Sequence, residues 1–217
     1  MREAVIVSTA RTPIGKAFRG AFNDTQAQEM AGHAIAEAVK RSKVSKEEID
    51  DVIIGAAGQQ GSQQGNIARQ SLLRAGLPVS VAGMSLDRQC ASGMMAIATA
   101  AKEITEDGMT ITVGGGVESV SLVRNENFRM DRARDPWLEE NIPSLYMTMI
   151  ETAENVAKRY GISRESQDEY SLQSQMRTAK AQQNGYMDKE IVPLKSTMKY
   201  KDKETGEISS HNVCIEK

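Results

Sequence analysis

Cysteine, histidine, net charge and long apolar runs are all scarce in this sequence. Two cysteines in 217 residues, Cys90 and Cys214, do not make a disulfide framework, which points to a reducing compartment and a cytoplasmic location. With 27 Lys and Arg against 29 Asp and Glu, the formal charge is −2. That balance gives no electrostatic ground for a nucleic-acid or anionic-membrane partner. No apolar run approaches the roughly 20 residues that a membrane-spanning helix needs. The opening Met1-Arg2-Glu3-Ala4-Val5-Ile6-Val7 is too short an apolar stretch for a signal peptide. Repeats and low-complexity tracts are absent too. What is there is an ordinary globular mixture, 40% hydrophobic and 26% charged, whose periodic apolar residues argue against intrinsic disorder.

Composition shifts near residue 121. Of the 17 glycines, 14 lie in residues 1–120, whereas charge is denser in residues 121–217. The first part therefore reads as a glycine-punctuated core and the second as a solvated, mostly helical layer. In the first part strand and helix signals alternate. Strands are expected at Ala4 to Ser8, Asp51 to Ile54, Val81 to Leu86 and Thr110 to Val113. Helices are expected from Thr25 to Arg41, with Asp24 as N-cap, from Gly65 to Ala75 and from Ala91 to Thr105. Ser45-Lys46-Glu47-Glu48 has capping-box spacing. This alternation predicts an α/β layer with a mostly parallel sheet. In the second part, helices close at Gly161 and Gly185, and Ile191 to Leu194 is a short extended piece. The polar tail from Lys199 to Lys217 carries no signal of a closing element.

Cys90 is the sharpest chemical feature. It lies between the strand ending at Leu86 and the helix beginning near Ala91. A side chain on such a turn is held rigidly at the end of the sheet, as in a nucleophile elbow. The N–H groups and positive dipole end of the helix favour thiolate, the nucleophilic form. Ala91, Ser92 and Gly93 are small enough to let a substrate or another backbone approach. The competing reading is a buried cysteine used as a small hydrophobe; position alone leaves both open. Gly114-Gly115-Gly116 lacks the following Lys-Ser/Thr of a phosphate loop. A close approach of backbones near Cys90 suits it better, with Glu118 and Ser119 buried and hydrogen-bonded behind the site. Met94 and Met95 read as core.

The run Arg88-Gln89-Cys90-Ala91-Ser92-Gly93 resembles the nucleophile motif of the thiolase family, CoA-dependent enzymes that make or cleave 3-ketoacyl-CoA. Four further stretches match in order. Ala4 to Gly15 is similar to the family's opening strand and loop. Gly65-Asn66-Ile67-Ala68-Arg69-Gln70 through Pro78 resembles the helix before the nucleophile strand. Gly115-Gly116-Val117-Glu118-Ser119-Val120-Ser121 resembles a Gly-Gly-x-Glu-Ser-Met-Ser segment. Thr152 to Ala157 with Gln167-Asp168-Glu169 resembles the start of the family's CoA-binding loop domain. The resemblance covers nearly the whole chain. It implies the N-terminal half of an acetyl-CoA C-acetyltransferase or 3-ketoacyl-CoA thiolase: a mixed, mostly parallel five-stranded sheet with helices on both faces over residues 1–120. Residues 121–217 would begin the loop domain as a mostly helical extension.

The resemblance makes Cys90 the acyl-accepting nucleophile, with its backbone N–H as an oxyanion donor. It implies CoA thioesters as substrates, no permanently bound cofactor, no metal, and a homodimer or homotetramer, with Gln59 to Arg69 resembling a segment that crosses the dimer contact. Met149 matches an acyl-pocket methionine, against the plainer reading of core packing. Ile150 and Thr148 replace a glycine and a histidine common beside it, and Asp87 replaces an asparagine before Arg88. A carboxylate so near disfavours a thiolate. The family's activating histidine (Gly-His-Pro), second cysteine (Cys-x-Gly-Gly-Gly) and water-holding asparagine (Asn-Glu-Ala-Phe) have no match here. His33 sits inside a helix, His211 and Cys214 in the polar tail, and none fits a motif. The 217-residue chain alone is therefore expected to turn over little. A β-ketoacyl synthase shares the cysteine but not the Glu118 and Thr152 segments. A non-catalytic scaffold or partner subunit is the alternative of another class.

Overall fold

A computed structural model describes residues 2–216. Two compact units are present, one made of Arg129–Lys189 and the other of the flanking chain on both sides. The compositional boundary at 120/121 does not coincide with this division, whose limits fall at 128/129 and 189/190. Among the described residues no helix is long and apolar enough to cross a membrane.

The first unit is built on three parallel strands, β1 (Asp51–Gly55), β2 (Ala82–Leu86) and β3 (Thr112–Gly116), in the order β2-β1-β3. Central β1 is buried at every residue, its apolar run Val52-Ile53-Ile54 being covered on both faces. Its alternation decides which helix covers which face. Val52 and Ile54 pack with Ile35 and Val39 of α1 (Ala27–Ser42) and with Ile67 and Leu72 of α2 (Ile67–Arg74). Ile53 points the other way, onto Ala96 and Ala100 of α3 (Ser92–Thr105). Helices thus lie on both faces, as expected.

Several expectations are corrected. Ala4 to Ser8 is not a strand: Val5, Ile6 and Val7 are largely exposed, and the segment runs along α1. Ser8 Oγ donates to Ala38 O at 2.6 Å and Arg41 Nη1 to Thr9 O at 2.9 Å, so α1 takes the place of a ladder partner. The five strands of the described residues do not form one sheet. The other two, β4 (Leu194–Lys201) and β5 (Ile208–Ile215), make a separate antiparallel hairpin. The polar tail is therefore folded, and the part after residue 120 is not simply helical. Its turn is held by Asp202 Oδ1, which accepts from Glu204 N and Thr205 N. Asn23 fastens the hairpin to the first unit, giving Nδ2 to Lys199 O at 2.7 Å and taking Lys199 N at 2.9 Å. Asp24 does not cap α1, whose N-cap is Gln26; its carboxylate instead pairs with Lys199 Nζ at 3.0 Å.

At the amino end of the sheet, Asp51 on β1 and Glu103 on α3 are buried carboxyls. Burial pushes both upward from the ordinary carboxyl range, and the charges of Asp51 and Asp107 raise Glu103 further. Asp50 goes the opposite way, because its carboxylate accepts the N–H groups of Thr110 and Ile111.

The second unit is helical: α5 (Pro136–Asn141), α6 (Met149–Tyr160) and α7 (Arg164–Gln183) follow the short α4 (Val120–Val123) of the first unit. A Thr148/Glu151 capping box starts α6 three residues before the expected Thr152. Gly161 and Gly185 end α6 and α7 at positive φ, as read from the sequence.

Candidate active site

Three strands deliver their carboxyl ends to one place, the usual location of ligands on an open parallel sheet. Cys90 hangs there on the turn from β2 to α3, exposed. The turn is braced from within. Asp87 Oδ1 accepts Gln89 N at 2.6 Å, and Gln89 sits at φ 49°, in the left-handed region that non-glycine residues seldom adopt. Ser92, buried at the first position of α3, takes Arg88 N at 2.9 Å on its Oγ and gives its hydroxyl proton to Gln89 O at 2.6 Å. Arg88 forms no ion pair with Asp87, whose carboxylate is instead spent on the turn itself.

The start of α3 is seated unusually close to the sheet, and glycines make the seat. A Cβ on Gly55 would lie 2.2 Å from the carbonyl carbon and oxygen of Ser92, and one on Gly116 would lie 2.9 Å from Gly93 Cα. The Gly114-Gly115-Gly116 run is therefore part of β3, three residues beyond the expected strand end, and its role is backbone approach.

The helix before the nucleophile strand holds β2 in register. Asn66 caps α2 through Arg69 N and gives Nδ2 to Gly83 O at 2.6 Å. Ser85 Oγ donates to Asn66 Oδ1 and accepts Ala68 N, while Arg69 reaches the carbonyls of Val79 and Val81. The Asn66-to-Arg69 segment thus acts on the strand that carries Cys90.

Behind the turn lies a network that the sequence reading found in part. Glu118 is hydrogen-bonded as expected, but it is exposed; only Ser119 is buried. The reason is that Glu118 lies two residues beyond the end of β3 and turns its carboxylate onto the loop after β1. There it accepts Ala57 N at 2.9 Å, Gly58 N at 3.3 Å and Gln63 Nε2 at 2.7 Å. Gln63 was missed: a glutamine in the polar run Gln59 to Gln64 gives no periodic signal, yet it is fully buried.

The other candidates lie elsewhere. Met149 is the first residue of α6 in the second unit and is 75% exposed, so it is not core of that unit. Met94 is equally exposed, against its assignment to the core, because it projects from the outer face of α3. His33 Nε2 lies 2.9 Å from Pro193 O, and His211, on β5 rather than in a loop, lies 3.0 Å from Ser209 Oγ. Cys214 is exposed on β5 opposite Lys195. Among the described residues no group of three His, Cys, Asp or Glu side chains could hold a metal.

Comparison with known proteins gives this constellation a setting. Residues 4–217 match the family model described as thiolase, N-terminal domain. The chain is 40% identical over 200 residues to a 3-ketoacyl-CoA thiolase of Bacillus subtilis, covering 91% of this chain and 50% of the relative. It is 39% identical over 204 residues to an acetyl-CoA acetyltransferase of Cupriavidus necator, covering 89% and 51%. An Escherichia coli 3-oxoadipyl-CoA/3-oxo-5,6-dehydrosuberyl-CoA thiolase is 39% identical over 214 residues, covering 89% and 52%. The crystal structure of Bacillus anthracis acetyl-CoA acetyltransferase superimposes with a TM-score of 0.77 at 36% identity, over 98% of this chain and 54% of that one. The chain thus spans about half the length of the relatives it matches.

Proposed function

The chain belongs to the thiolase family, and from that premise we propose that Cys90 is the acyl-accepting nucleophile of a thiolase-type transfer between CoA thioesters. The observation that carries this reading is the exposed thiol on a braced strand-to-helix turn, at the carboxyl end of a parallel sheet and the amino end of a 14-residue helix. That placement leaves the sulfur open to attack a substrate.

In the condensing direction Sγ attacks the thioester carbonyl carbon of an acyl-CoA. The new C–S bond forms, the bond to the CoA sulfur breaks, and the CoA thiolate leaves and takes up a proton. A second acyl-CoA, deprotonated at Cα, then accepts the acyl group and frees Sγ. In the thiolytic direction Sγ attacks the 3-keto carbon and keeps the shortened acyl group, the Cα–Cβ bond breaks, and acetyl-CoA leaves as an enolate that is protonated at Cα. Free CoA then removes the acyl group. Both courses split one hard step into two through an acyl-cysteine. The Cys90 N–H is assigned as a donor to the thioester oxygen.

The names of the relatives share only the CoA thioester among their different acyl groups, so the CoA thioester is the substrate class we assign. We assign Met149 to the acyl pocket on its sequence match, and residues 121–217 to the start of a CoA-binding loop domain. A homodimer or homotetramer in the cytoplasm completes the reading. Both histidines are engaged with other groups, so turnover by this chain alone is expected to be slight beside stoichiometric acyl transfer.

The test is intact mass after incubation with acetyl-CoA, for the chain and for Cys90→Ala. One acetyl adduct, absent from the variant, is the expected result. An unmodified chain, or an adduct that survives the substitution, would overturn the assignment.

A further inference from the structure

We propose that Gln63 is a positioning residue for Cys90, acting through Glu118 and the loop after β1; the inference rests on reading Cys90 as the nucleophile. Gln63 is fully buried, and a buried primary amide is costly unless its donors and acceptor are met. Here they are met by three groups from two loops. Nε2 donates to Gly58 O at 2.8 Å and to Glu118 Oε1 at 2.7 Å, and Oε1 accepts the N–H of Ser119. One side chain thereby joins the loop that leaves β1 to the loop that leaves β3.

The path from there to Cys90 is continuous. Glu118 holds the loop after β1 by the N–H groups of Ala57 and Gly58. In the same loop Ala56 N donates to Leu86 O at 3.0 Å, at the last residue of β2 before the nucleophile turn. Val117 N donates to Gly55 O at 3.0 Å, and Gly55 is the surface on which Ser92 rests. If this loop shifts, the end of β2 and the start of α3 shift with it, and these two elements carry Cys90 between them. No other uncharged side chain of this length offers two donors and an acceptor from one rigid plane. Alanine leaves the Ser119 N–H and one lobe of the Glu118 carboxylate without their partner. Glutamate puts a second carboxylate against Glu118, unless it is protonated, when its single O–H and its C=O restore part of the amide's bonding.

The experiment uses the chain as it is, with Cys214 as an internal reference on the hairpin. Alkylation of both cysteines by iodoacetamide is followed by peptide mass spectrometry in wild type, Gln63→Ala and Gln63→Glu, at a temperature where circular dichroism shows each folded. The readout is the Cys90:Cys214 rate ratio. In wild type Cys90 should react faster than Cys214. Gln63→Ala should lower the ratio about tenfold, because a displaced Sγ no longer sits at the amino end of α3. Gln63→Glu should be low at about pH 8 and return toward the wild-type ratio as the pH falls, because burial against the Glu118 carboxylate favours the protonated form of the new carboxyl. A merely structural glutamine would lower the melting temperature and leave the ratio unchanged in both variants, which overturns the proposal. A reactive wild-type Cys90 with unchanged variants removes this proposal alone. A wild-type ratio of one removes the nucleophile assignment and this inference together.

Discussion

The amide of Gln89 donates to Asp87 Oδ1 at 2.6 Å and so holds residue 89 at φ 49°, immediately before the thiol of Cys90. An uncommon backbone conformation persists only where its surroundings over-determine it. Here Asp87 fixes one side of the turn and Ser92 the other. The position of the sulfur is thus set by two short polar side chains rather than by apolar packing.

Replacing Ser92 tests that brace. Ser92→Ala leaves the Arg88 N–H and the Gln89 carbonyl without their side-chain partner, at a cost of about 1–3 kcal/mol. Asp87→Asn keeps an acceptor for Gln89 N and is expected to cost less than Asp87→Ala. Urea denaturation of the three variants measures the order, and equal losses for Asn and Ala at residue 87 would contradict it.

The seat of α3 makes a steric prediction. With only 2.2 Å available at Gly55 and 2.9 Å at Gly116, Gly55→Ala must displace backbone of Ser92, whereas Gly116→Ala needs a smaller shift. Overpacking of this kind costs about 1–3 kcal/mol or more. Gly55→Ala should therefore show the lower melting temperature. The reverse order would mean that α3 does not rest on the sheet as described.

Asp51 and Glu103 set a pH dependence. Both carboxyls are raised in the folded chain, so folding favours their neutral forms. Their contribution is complete below the ordinary carboxyl range and is lost as pH rises through the raised folded values. Glu103→Gln removes the titration at that site. The variant should match wild type in acid and be the more stable of the two near neutrality. Thermal melts from about pH 4 to pH 8 would show the curves separating as pH rises; parallel curves would refute the assignment. Asp50, lowered by two backbone N–H bonds, works in the opposite sense and is common to both proteins.

Asn23 predicts how the hairpin is held. Asn23→Ala removes both bonds to the Lys199 backbone, a loss of about 1 kcal/mol each. Amide hydrogen exchange across β4 and β5 should accelerate while β1 stays protected. Unchanged exchange in the hairpin would show that the apolar contacts of Leu194 and Ile215 with Phe22 suffice.

Local chemistry was enough to read α2, α3, α6 and α7, the strands β1 to β3 to within a few residues, and the turn that presents Cys90. Periodicity, caps and glycine stops are short-range signals, and the nucleophile turn lies between two of them. The five matching segments were likewise enough to identify the family. The rest depends on residues far apart in the chain. Val5 to Val7 has strand composition but lies exposed along α1, because strand formation needs a partner edge as well as propensity. Ile208 to Ile215 has little apolar pattern, yet it pairs because Asp202, Asn23 and Leu194 supply the turn, the anchor and the buried end. Gln63 is ordinary in sequence, and only the meeting of the loops after β1 and β3 surrounds its amide with a carbonyl, a carboxylate and an N–H. Hydrogen-bond satisfaction is a property of the assembled loops, so tertiary structure alone decides which of several glutamines supports the site.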